Sequence, residues 1–297
     1  MEKVIVFGGS GFLGSHVADQ LTLLGFDVTI FDVMKSQWLN SNQHFIKGDI
    51  LDREAVVKAI ENMDYVYNFA ALADLNKCLD RPKETVELNI LGNLNVLEGC
   101  RENEVRRFIY SSTVYVNSRE GGFYRCSKQA AESYIEEFGN QYGIDYTILR
   151  YGSLYGERSD QSNGVYRIVK EALVTGRLRY RGNSDAVREY IHVLDAAHAS
   201  VKALAEDFRN KSVVLTGQEP MKVSDMLELL AEILGYPSES IEFLKGEDVG
   251  HYSRTPYAYR PKVGQKYTPP LHVDFGQGLL ELIHEIQADF RTDESKI

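Results

Sequence analysis

Tyr124 and Lys128 lie four residues apart in the segment GFYRCSK, a spacing that puts both side chains on one face of a helix. A phenol beside an ammonium group can serve as an acid–base pair, because a neighbouring positive charge favours the phenolate. The same spacing occurs on the exposed face of many ordinary helices, so by itself it leaves both interpretations open. The choice between the two interpretations depends on the residues that the rest of the chain places around this pair.

A glycine-rich turn, GGSGFLG, stands between the first predicted strand and the first predicted helix. Glycines let the chain turn tightly and let the backbone approach a pyrophosphate, whose charge rests on the helix N-terminus. Asp32 ends the second predicted strand, where a carboxylate can accept from the adenosine ribose hydroxyls and repel a 2′-phosphate. The sequence therefore favours NAD over NADP, and a glycine turn without a ligand is the alternative. The predicted contacts in the turn are Gly8, Gly11, Phe12, Leu13 and Gly14.

Further predicted cofactor contacts follow later strands. Asp49 and Ile50 end the third strand region, within reach of an adenine ring, although a helix-capping role for Asp49 is equally open. Ala70 and Ala71 end the fourth strand, where small side chains let a cofactor lie against the backbone. Tyr151, at the end of the sixth strand, completes the predicted set.

A regular framework is predicted to hold these residues. Apolar strand segments (KVIVFGG, FDVTIFD, HFIKGDI, DYVYNFAA, RRFIYSS and DYTILRYG) alternate with helical segments. Two of the helices are long: one begins at Pro82, and the other begins near Tyr124 and ends at Gly143. This alternation indicates α/β architecture, a Rossmann-type doubly wound parallel sheet that binds ligands at the carboxyl ends of its strands.

The second half of the chain is less regular and is predicted to form a smaller lobe intertwined with the first. Its predicted elements are the helices GVYRIVKEALVTG and VSDMLELLAEILG, the strand SVVLTG, an ordered Tyr- and Pro-rich loop over 251–273, and a closing helix DFGQGLLELIHEIQADF. We predict an NAD-binding domain at 1–151 plus about 190–212, the second lobe at 152–189 and 213–290, and a tail at 291–297.

Composition narrows the choice of partners and compartment. The formal net charge of −10 argues against nucleic acid or an anionic membrane as the main partner. Cys78, Cys100 and Cys126 are widely scattered without metal-ligand spacing, so no metal site is predicted and a reducing cytoplasm is expected. No signal-peptide pattern and no apolar run of membrane-spanning length is found in the sequence.

Several motifs together resemble the extended short-chain dehydrogenase/reductase family, in its NAD-dependent nucleotide-sugar epimerase/dehydratase branch. In chain order they are GGSGFLG, GDILD, NFAALAD, ELNILGNLNVLE, FIYSSTVYV, YRCSK, LRYGSLYG and VREYIHVLD, and the match covers about residues 3 to 205. The resemblance implies that Tyr124 is the catalytic base, that Lys128 is its partner and a ligand of the nicotinamide ribose, and that Ser111 hydrogen-bonds the reacting oxygen. Ser112, its neighbour, is included as a substrate contact, and a turn-capping role for Ser111 is the alternative.

The resemblance also implies that the second lobe binds a nucleotide sugar. Arg188, in VREYIHVLD, matches the family arginine that contacts the diphosphate, and Arg254 is a second candidate. For both, a surface ion pair is the alternative. Ser153 stands where the family usually has Asn, which puts one substrate hydrogen bond in question.

The expected reaction is NAD-dependent epimerisation through a transient keto sugar. In the dehydratases an Asp-Glu pair follows the active-site Ser/Thr, whereas Ser112 and Thr113 stand here and are neither strong acids nor strong bases. An oxidoreductase of a keto nucleotide sugar is the main alternative; a decarboxylase, a 4,6-dehydratase and a non-catalytic NAD-binding regulator are less favoured. The segment between Ser111 and Tyr124 is about half as long as in those relatives, which should uncover the sugar site. The family also implies a homodimer that pairs the two long helices, residues 82–101 and 124–142, in a four-helix bundle.

Overall fold

A computed structural model describes residues 1–244 and 251–256 of the chain. Its strands are β1 (Lys3–Phe7), β2 (Asp27–Asp32), β3 (Gln43–Lys47), β4 (Tyr65–Asn68), β5 (Arg107–Thr113), β6 (Tyr146–Tyr151), β7 (Ser153–Tyr155), β8 (Leu178–Arg181), β9 (Val187–Arg188), β10 (Tyr190–His192), β11 (Lys211–Leu215), β12 (Met221–Lys222) and β13 (Ile241–Leu244). Its α-helices are α1 (Phe12–Leu23), α2 (Arg53–Ile60), α3 (Leu75–Asp80), α4 (Pro82–Val86), α5 (Asn93–Glu102), α6 (Gly122–Tyr142), α7 (Gly164–Thr175), α8 (Val193–Lys202) and α9 (Val223–Leu234).

The centre of the fold is a seven-stranded sheet in the order β11-β6-β5-β4-β1-β2-β3. Every neighbouring pair in this sheet is parallel, with Val6 of β1 opposite Ile30 of β2 and Tyr67 of β4. Strands covered on both faces need apolar side chains at consecutive positions, which explains the uninterrupted runs that the sequence shows. The Rossmann-type fold predicted from those runs is confirmed.

Helices cover both faces of the sheet and create two apolar cores. On one face, α1 and α8 pack over a core that contains Val17, Leu21 and Val201. On the other face, α2, α5 and α6 enclose a second core, with Ile60, Leu97 and Ile135 fully buried. This layering leaves the carboxyl ends of the strands open, where parallel sheets bind ligands.

The structure confirms the end of one long predicted helix and interrupts the other. The predicted end of α6 is confirmed, because the helix stops at Gly143, whose φ of +73° is a left-handed conformation that favours glycine. The helix that begins at Pro82 is interrupted by a π-helical turn over Glu87–Gly92. A π turn adds one residue to the helical repeat, and such turns are frequent at functional sites. Here the turn contains Asn89, whose buried side chain reaches across to Leu72.

The predicted elements of the second half are also present, as α7, α9 and β11. A third apolar core joins α7 and α9 and includes Ile168, Leu178 and Leu227. Short strand pairs surround it: β7 with β10, β9 with β12, and β8 with β13. The two-lobe division remains a prediction, although its boundary near residue 212 falls inside β11. The closing helix, the tail and most of the Tyr- and Pro-rich loop lie outside the described residues.

Two features are absent from the part of the chain that the structure describes. Within residues 1–244 and 251–256, no helix combines the length and the apolar character that crossing a bilayer requires. Within the same ranges, no three His, Cys, Asp or Glu side chains converge in a way that could hold a metal ion.

Candidate active site

The glycine turn after β1 is closed by backbone contacts. Gly8 has a φ of +73°, and its amide donates to the Phe31 carbonyl of β2 at 3.0 Å. A side-chain carbon at Gly8 would stand 2.5 Å from the amide nitrogen of Ala70, and one at Gly14 would overlap the Gly8 carbonyl oxygen. Both positions therefore need glycine, because the turn, α1 and the end of β4 meet there with no space for a methyl group.

The first turn of α1 offers free backbone donors at this point. Gly11 is the N-cap and contributes no side-chain hydrogen bond, so the following amides, Phe12 and Leu13 among them, remain available to an anion. Beside the turn, the Asp32 carboxylate accepts from the amides of Ser10, at 3.1 Å, and Met34, at 3.3 Å. The Ser10 hydroxyl is buried and has no hydrogen-bond partner among the described residues. These features fit a dinucleotide: donors for the pyrophosphate, an acid for the ribose, and a hydroxyl that sequence reasoning missed.

The other predicted cofactor contacts differ in how well the structure supports them. Ala70 and Ala71 are half-buried beside the turn, as a surface for the cofactor requires. Asp49 is exposed and its carboxylate accepts from the Leu51 amide at 2.9 Å, while Ile50 is buried in the core against the helices. The Tyr151 side chain is not brought to the site, because its phenol is buried and hydrogen-bonds the Ser200 hydroxyl of α8 at 2.6 Å.

Tyr124 and Lys128 come together at the start of α6, over the end of β5. Lys128 is 2% exposed, and its ammonium donates to the Ser111 carbonyl at 2.7 Å. It lies 5.9 Å from the centre of the Tyr124 ring and 4.6 Å from that of Tyr110. The helix thus presents the phenol at the strand end and keeps the ammonium beneath it, in the arrangement that the i,i+4 spacing predicts.

Burial dominates the ionisation of both groups. It raises the pKa of Tyr124, and a hydrogen bond with the Thr113 hydroxyl opposes this only in part. Burial also lowers the pKa of Lys128 to about 7, against the influence of the Glu132 carboxylate, which raises it. The sequence predicts that Lys128 and a positively charged nicotinamide ring together lower the Tyr124 pKa. Without that ring, burial outweighs Lys128 and the Tyr124 pKa is raised.

The two serines of SSTVY point to opposite faces of β5, as alternation along a strand requires. Ser112 is buried and donates to the Glu132 carboxylate at 2.5 Å, so the structure does not bring this predicted substrate contact to the site. Ser111 is half-buried, and its carbonyl accepts from Lys128. Thr113, two residues on, reaches the Tyr124 phenol and was missed by sequence reasoning, although strand alternation places it with Ser111.

A second group that sequence reasoning missed is centred on the π-helical turn. The Asn89 amide oxygen accepts from the Leu72 amide at 2.7 Å, and its nitrogen donates to the Leu72 carbonyl and to the Ser127 hydroxyl. Asn89 thereby ties the loop after β4 to the residue beside Lys128. The spacing of the sequence gives no signal for this contact, because it depends on the extra residue in the turn.

A cavity of about 440 Å³ opens between this site and the second half of the chain. Its lining includes Tyr115, Ser153, Arg167, Arg181, Arg188, Tyr190 and His251. Arg188 is 7% exposed, and its guanidinium stacks 4.5 Å above the ring of Tyr252 and donates to the Tyr252 carbonyl. No carboxylate pairs with Arg188 in the part of the chain that the structure describes. The cavity therefore presents a buried positive charge, which suits an anionic ligand.

The segment 251–256 packs against Tyr115, and His251 of this segment lines the cavity. The Tyr115 phenol and His251 Nδ1 are 2.7 Å apart, and the Tyr115 ring lies edge-on to Tyr124 at 6.3 Å. Ser153 lines the cavity and hydrogen-bonds the Tyr252 hydroxyl at 3.3 Å. Arg254 is exposed and does not line the cavity, so the structure does not bring this predicted contact to the site. Sequence reasoning missed His251 and Tyr252, although both lie in the Tyr- and Pro-rich segment that contains Arg254.

Comparison with known proteins gives concordant results. The sequence model of the NAD dependent epimerase/dehydratase family matches residues 4–215. The crystal structure of UDP-glucose 4-epimerase from Thermotoga maritima with UDP-glucose is 30% identical, with a TM-score of 0.77 over 86% of this chain and 90% of that one. The Thermus thermophilus UDP-glucose 4-epimerase complex with NAD is 28% identical, with a TM-score of 0.75 over 89% and 95%. A UDP-N-acetyl-alpha-D-glucosaminuronate decarboxylase of Bacillus cytotoxicus is 25% identical over 97% of this chain and 99% of its own length.

Proposed function

The chain belongs to the NAD-dependent epimerase/dehydratase family, and from this premise we propose that it epimerises a nucleotide-activated sugar through a transient keto sugar. The observation that carries the proposal is a single arrangement at the carboxyl edge of the sheet. The Lys128 ammonium lies beside the Tyr124 ring and donates to the Ser111 carbonyl, and Tyr115, which packs on Tyr124, lines the cavity that holds the buried Arg188 guanidinium. Acid–base, cofactor and substrate groups are thus within one site, as hydride chemistry on a sugar alcohol requires.

The residues of this chain have separable roles in the proposed reaction. Bound NAD supplies a hydride acceptor and donor and, when oxidised, a positively charged ring. Tyr124 takes the proton of the sugar hydroxyl as the carbon loses its hydride, and it returns that proton after the keto sugar has turned over. Ser111 donates a hydrogen bond to the same oxygen. Lys128 anchors the pair to β5 and adds positive charge beneath the phenol.

The strand end favours epimerisation over elimination of water. A dehydratase needs an acid and a base next to the active-site Ser or Thr. Ser112 is instead held by Glu132 on the opposite face of β5, and Thr113 hydrogen-bonds Tyr124. Neither hydroxyl can serve as a strong acid or base, because aliphatic hydroxyls do not ionise near neutral pH.

Arg188 supports a nucleoside diphosphate as the activating group. A guanidinium buried without a carboxylate is costly unless a ligand supplies the negative charge, and arginine matches phosphate geometry with two parallel hydrogen bonds. Ser153 and Tyr190 line the same cavity with hydroxyl groups that can contact the sugar or the diphosphate. We therefore propose that the diphosphate lies at Arg188 and that the sugar lies towards Tyr124.

Decarboxylation is the second candidate, favoured by the similarity to the decarboxylase over 97% of this chain. An oxidoreductase that interconverts a sugar alcohol and a keto nucleotide sugar carries out only one of the two hydride transfers of an epimerase. The three reactions differ in their products: an epimerase returns the hydride and the cofactor unchanged, an oxidoreductase consumes the cofactor, and a decarboxylase releases carbon dioxide.

The test begins with a thermal-shift screen of UDP-, GDP-, CDP- and dTDP-linked hexoses and uronic acids, because a ligand of the native state raises the midpoint. Each hit is then incubated with the enzyme, and the products are identified by NMR. With a substrate deuterated at C4, a 4-epimerase keeps the deuterium on the product, whereas an oxidoreductase transfers it to released NADH. Loss of deuterium to released cofactor, or release of carbon dioxide, would replace the epimerase proposal by one of the alternatives.

We also propose that two chains pair through their long helices. The outer faces of α3 to α6 expose a group of large apolar side chains, namely Leu79, Val86, Leu91, Phe123, Tyr134 and Tyr142. Exposed apolar side chains that cluster into one patch are typical of a protein–protein interface. This surface supports the homodimer that the sequence predicts.

A further inference from the structure

A buried carboxylate lies one helical turn beyond Lys128 on α6. Glu132 is 6% exposed, yet it is bonded on three sides. Arg150 of β6 donates from Nε at 3.0 Å and from Nη2 at 2.6 Å, and the Ser112 hydroxyl of β5 donates at 2.5 Å. Glu132 thus connects the helix that contains the catalytic pair to the two strands beneath it.

Stability alone does not account for such a network. Removing two charges from water costs several kcal/mol for each ion, and well-packed apolar residues of similar volume often serve a fold as well or better. The location of the network suggests another role. Ser112 directly follows Ser111, whose carbonyl accepts the Lys128 ammonium at 2.7 Å, so Glu132 restrains the peptide segment that holds the ammonium.

The charge of Glu132 also acts on Lys128. The other groups that face the ammonium are uncharged: the rings of Tyr110 on β5 and Tyr124 on α6, and the buried thiol of Cys78 on α3. Burial of this kind removes the proton from a lysine unless a negative charge opposes it. Among the described residues that act on Lys128, Glu132 is the carboxylate that does so.

We propose that Glu132 is a positioning residue of the Tyr124–Lys128 pair, which holds the end of β5 through Ser112 and keeps the buried Lys128 side chain in its ammonium form. The consequence for turnover rests on the proposed function, whereas the protonation of Lys128 can be measured without any substrate. A neutral Lys128 would keep its place but would no longer supply the positive charge that the Tyr124 phenolate needs.

The experiment follows the protonation of Lys128 by NMR in protein labelled with ¹³C-lysine, with the Lys128→Met variant used to assign the signal. In the wild-type protein we expect a midpoint at about pH 7. In Glu132→Gln we expect the midpoint to fall by roughly one pH unit or more, because an opposite charge within a few ångströms shifts a pKa by about 1–3 units. Glu132→Asp should restore part of this shift. Ser112→Ala, which removes a hydrogen bond of the same network but no charge, should leave the midpoint in place.

Glu132→Gln leaves Arg150 without a carboxylate, so it can fail to fold. The double variant Glu132→Gln/Arg150→Met removes both charges and should still lower the midpoint, but by less than Glu132→Gln, because the lost guanidinium charge had opposed that of Glu132. An unchanged Lys128 midpoint in whichever of these variants folds would overturn the proposal. Once a substrate is known, the alkaline limb of the pH–rate profile of the folded variant should move to lower pH by as much as its Lys128 midpoint does. A Lys128 midpoint that moves while the alkaline limb of the pH–rate profile stays in place would also overturn the proposal for Glu132. The absence of turnover in wild-type protein would count against the proposed function alone.

Discussion

Replacing Arg188 by Met should separate folding from substrate binding. In the folded protein the guanidinium stacks 4.5 Å above the Tyr252 ring and donates to the Tyr252 carbonyl. Removing it loses about 2 kcal/mol of cation–π attraction and roughly 1.5–3 kcal/mol of charged hydrogen bonding. It also relieves the burial of an ion, which costs several kcal/mol. These contributions oppose each other, so we expect the free energy of unfolding to change by less than about 2 kcal/mol.

The effect of the same substitution on ligand binding is not offset in this way. A diphosphate that pairs with Arg188 would be left desolvated without its partner, at a cost of about 2–5 kcal/mol. This corresponds to a loss of affinity of roughly 30-fold to 4,000-fold, at about 1.4 kcal/mol for each factor of ten. The nucleoside without phosphates should lose little, because its contacts do not involve the guanidinium.

The measurements are urea unfolding for stability and calorimetric titration for binding, with the nucleoside diphosphate found in the screen and with its nucleoside. Arg254→Met is the matched control, since Arg254 is exposed and does not line the cavity. It should change neither quantity. Equal losses for diphosphate and nucleoside, or an unchanged affinity for the diphosphate in Arg188→Met, would refute the assignment of Arg188 to the phosphates.

Three further predictions concern the catalytic base, the cofactor turn and the dimer. Tyr124→Phe should lower turnover by roughly 10²–10⁴-fold, the usual contribution of a general acid–base group, and should leave the amount of bound NAD unchanged. Tyr134→Phe is the control, because Tyr134 is 47% exposed on the same helix. Normal turnover in Tyr124→Phe would reject Tyr124 as the acid–base group. Gly14→Ala should release NAD and lower the free energy of unfolding by about 1–3 kcal/mol through overpacking. Gly164→Ala is the control and should change neither quantity, because its methyl group would meet nothing closer than 3.9 Å. Cofactor content and urea unfolding are measured for both variants. Full NAD content in Gly14→Ala would contradict the tight turn. Leu91→Glu, at a side chain 48% exposed on the proposed interface, should convert a dimer to monomers in sedimentation velocity, and a monomeric wild-type protein would argue against the dimer.

The fold was predictable because its signals are local. Each strand of the large sheet is a short apolar run, and the turn after β1 combines glycines with an acid at the end of the next strand. Helix α6 ends at Gly143, whose positive φ favours glycine. The catalytic spacing is equally local, since residues four apart on a helix share a face. Such features can be read from a few neighbouring residues without knowledge of the tertiary structure.

The remaining features depend on contacts that local patterns do not contain. Ser111 and Ser112 are adjacent and chemically identical, and only the pairing of β5 decides which of them faces the site; a shift by one residue exchanges them. Tyr151 follows a site strand, but its phenol is bound by Ser200, 49 residues further along the chain. The raised pKa of Tyr124 reflects desolvation, which is a property of the packed structure and not of the motif.

The order of strands in the sheet determines which parts of the protein can form early during synthesis. Apart from its edge strand β11, the large sheet is complete once β6 has been synthesised, and by then the chain contains the glycine turn, Asp32, Ser111 and the catalytic pair. Arg188, which lines the cavity, arrives later, and Tyr252 follows it. At about 5–20 residues per second, the roughly 100 residues from β6 to Tyr252 take about 5–20 s to translate. The residues of the glycine turn, Asp32 and the Tyr124–Lys128 pair are therefore synthesised several seconds before Tyr252, which stacks on the proposed phosphate ligand Arg188.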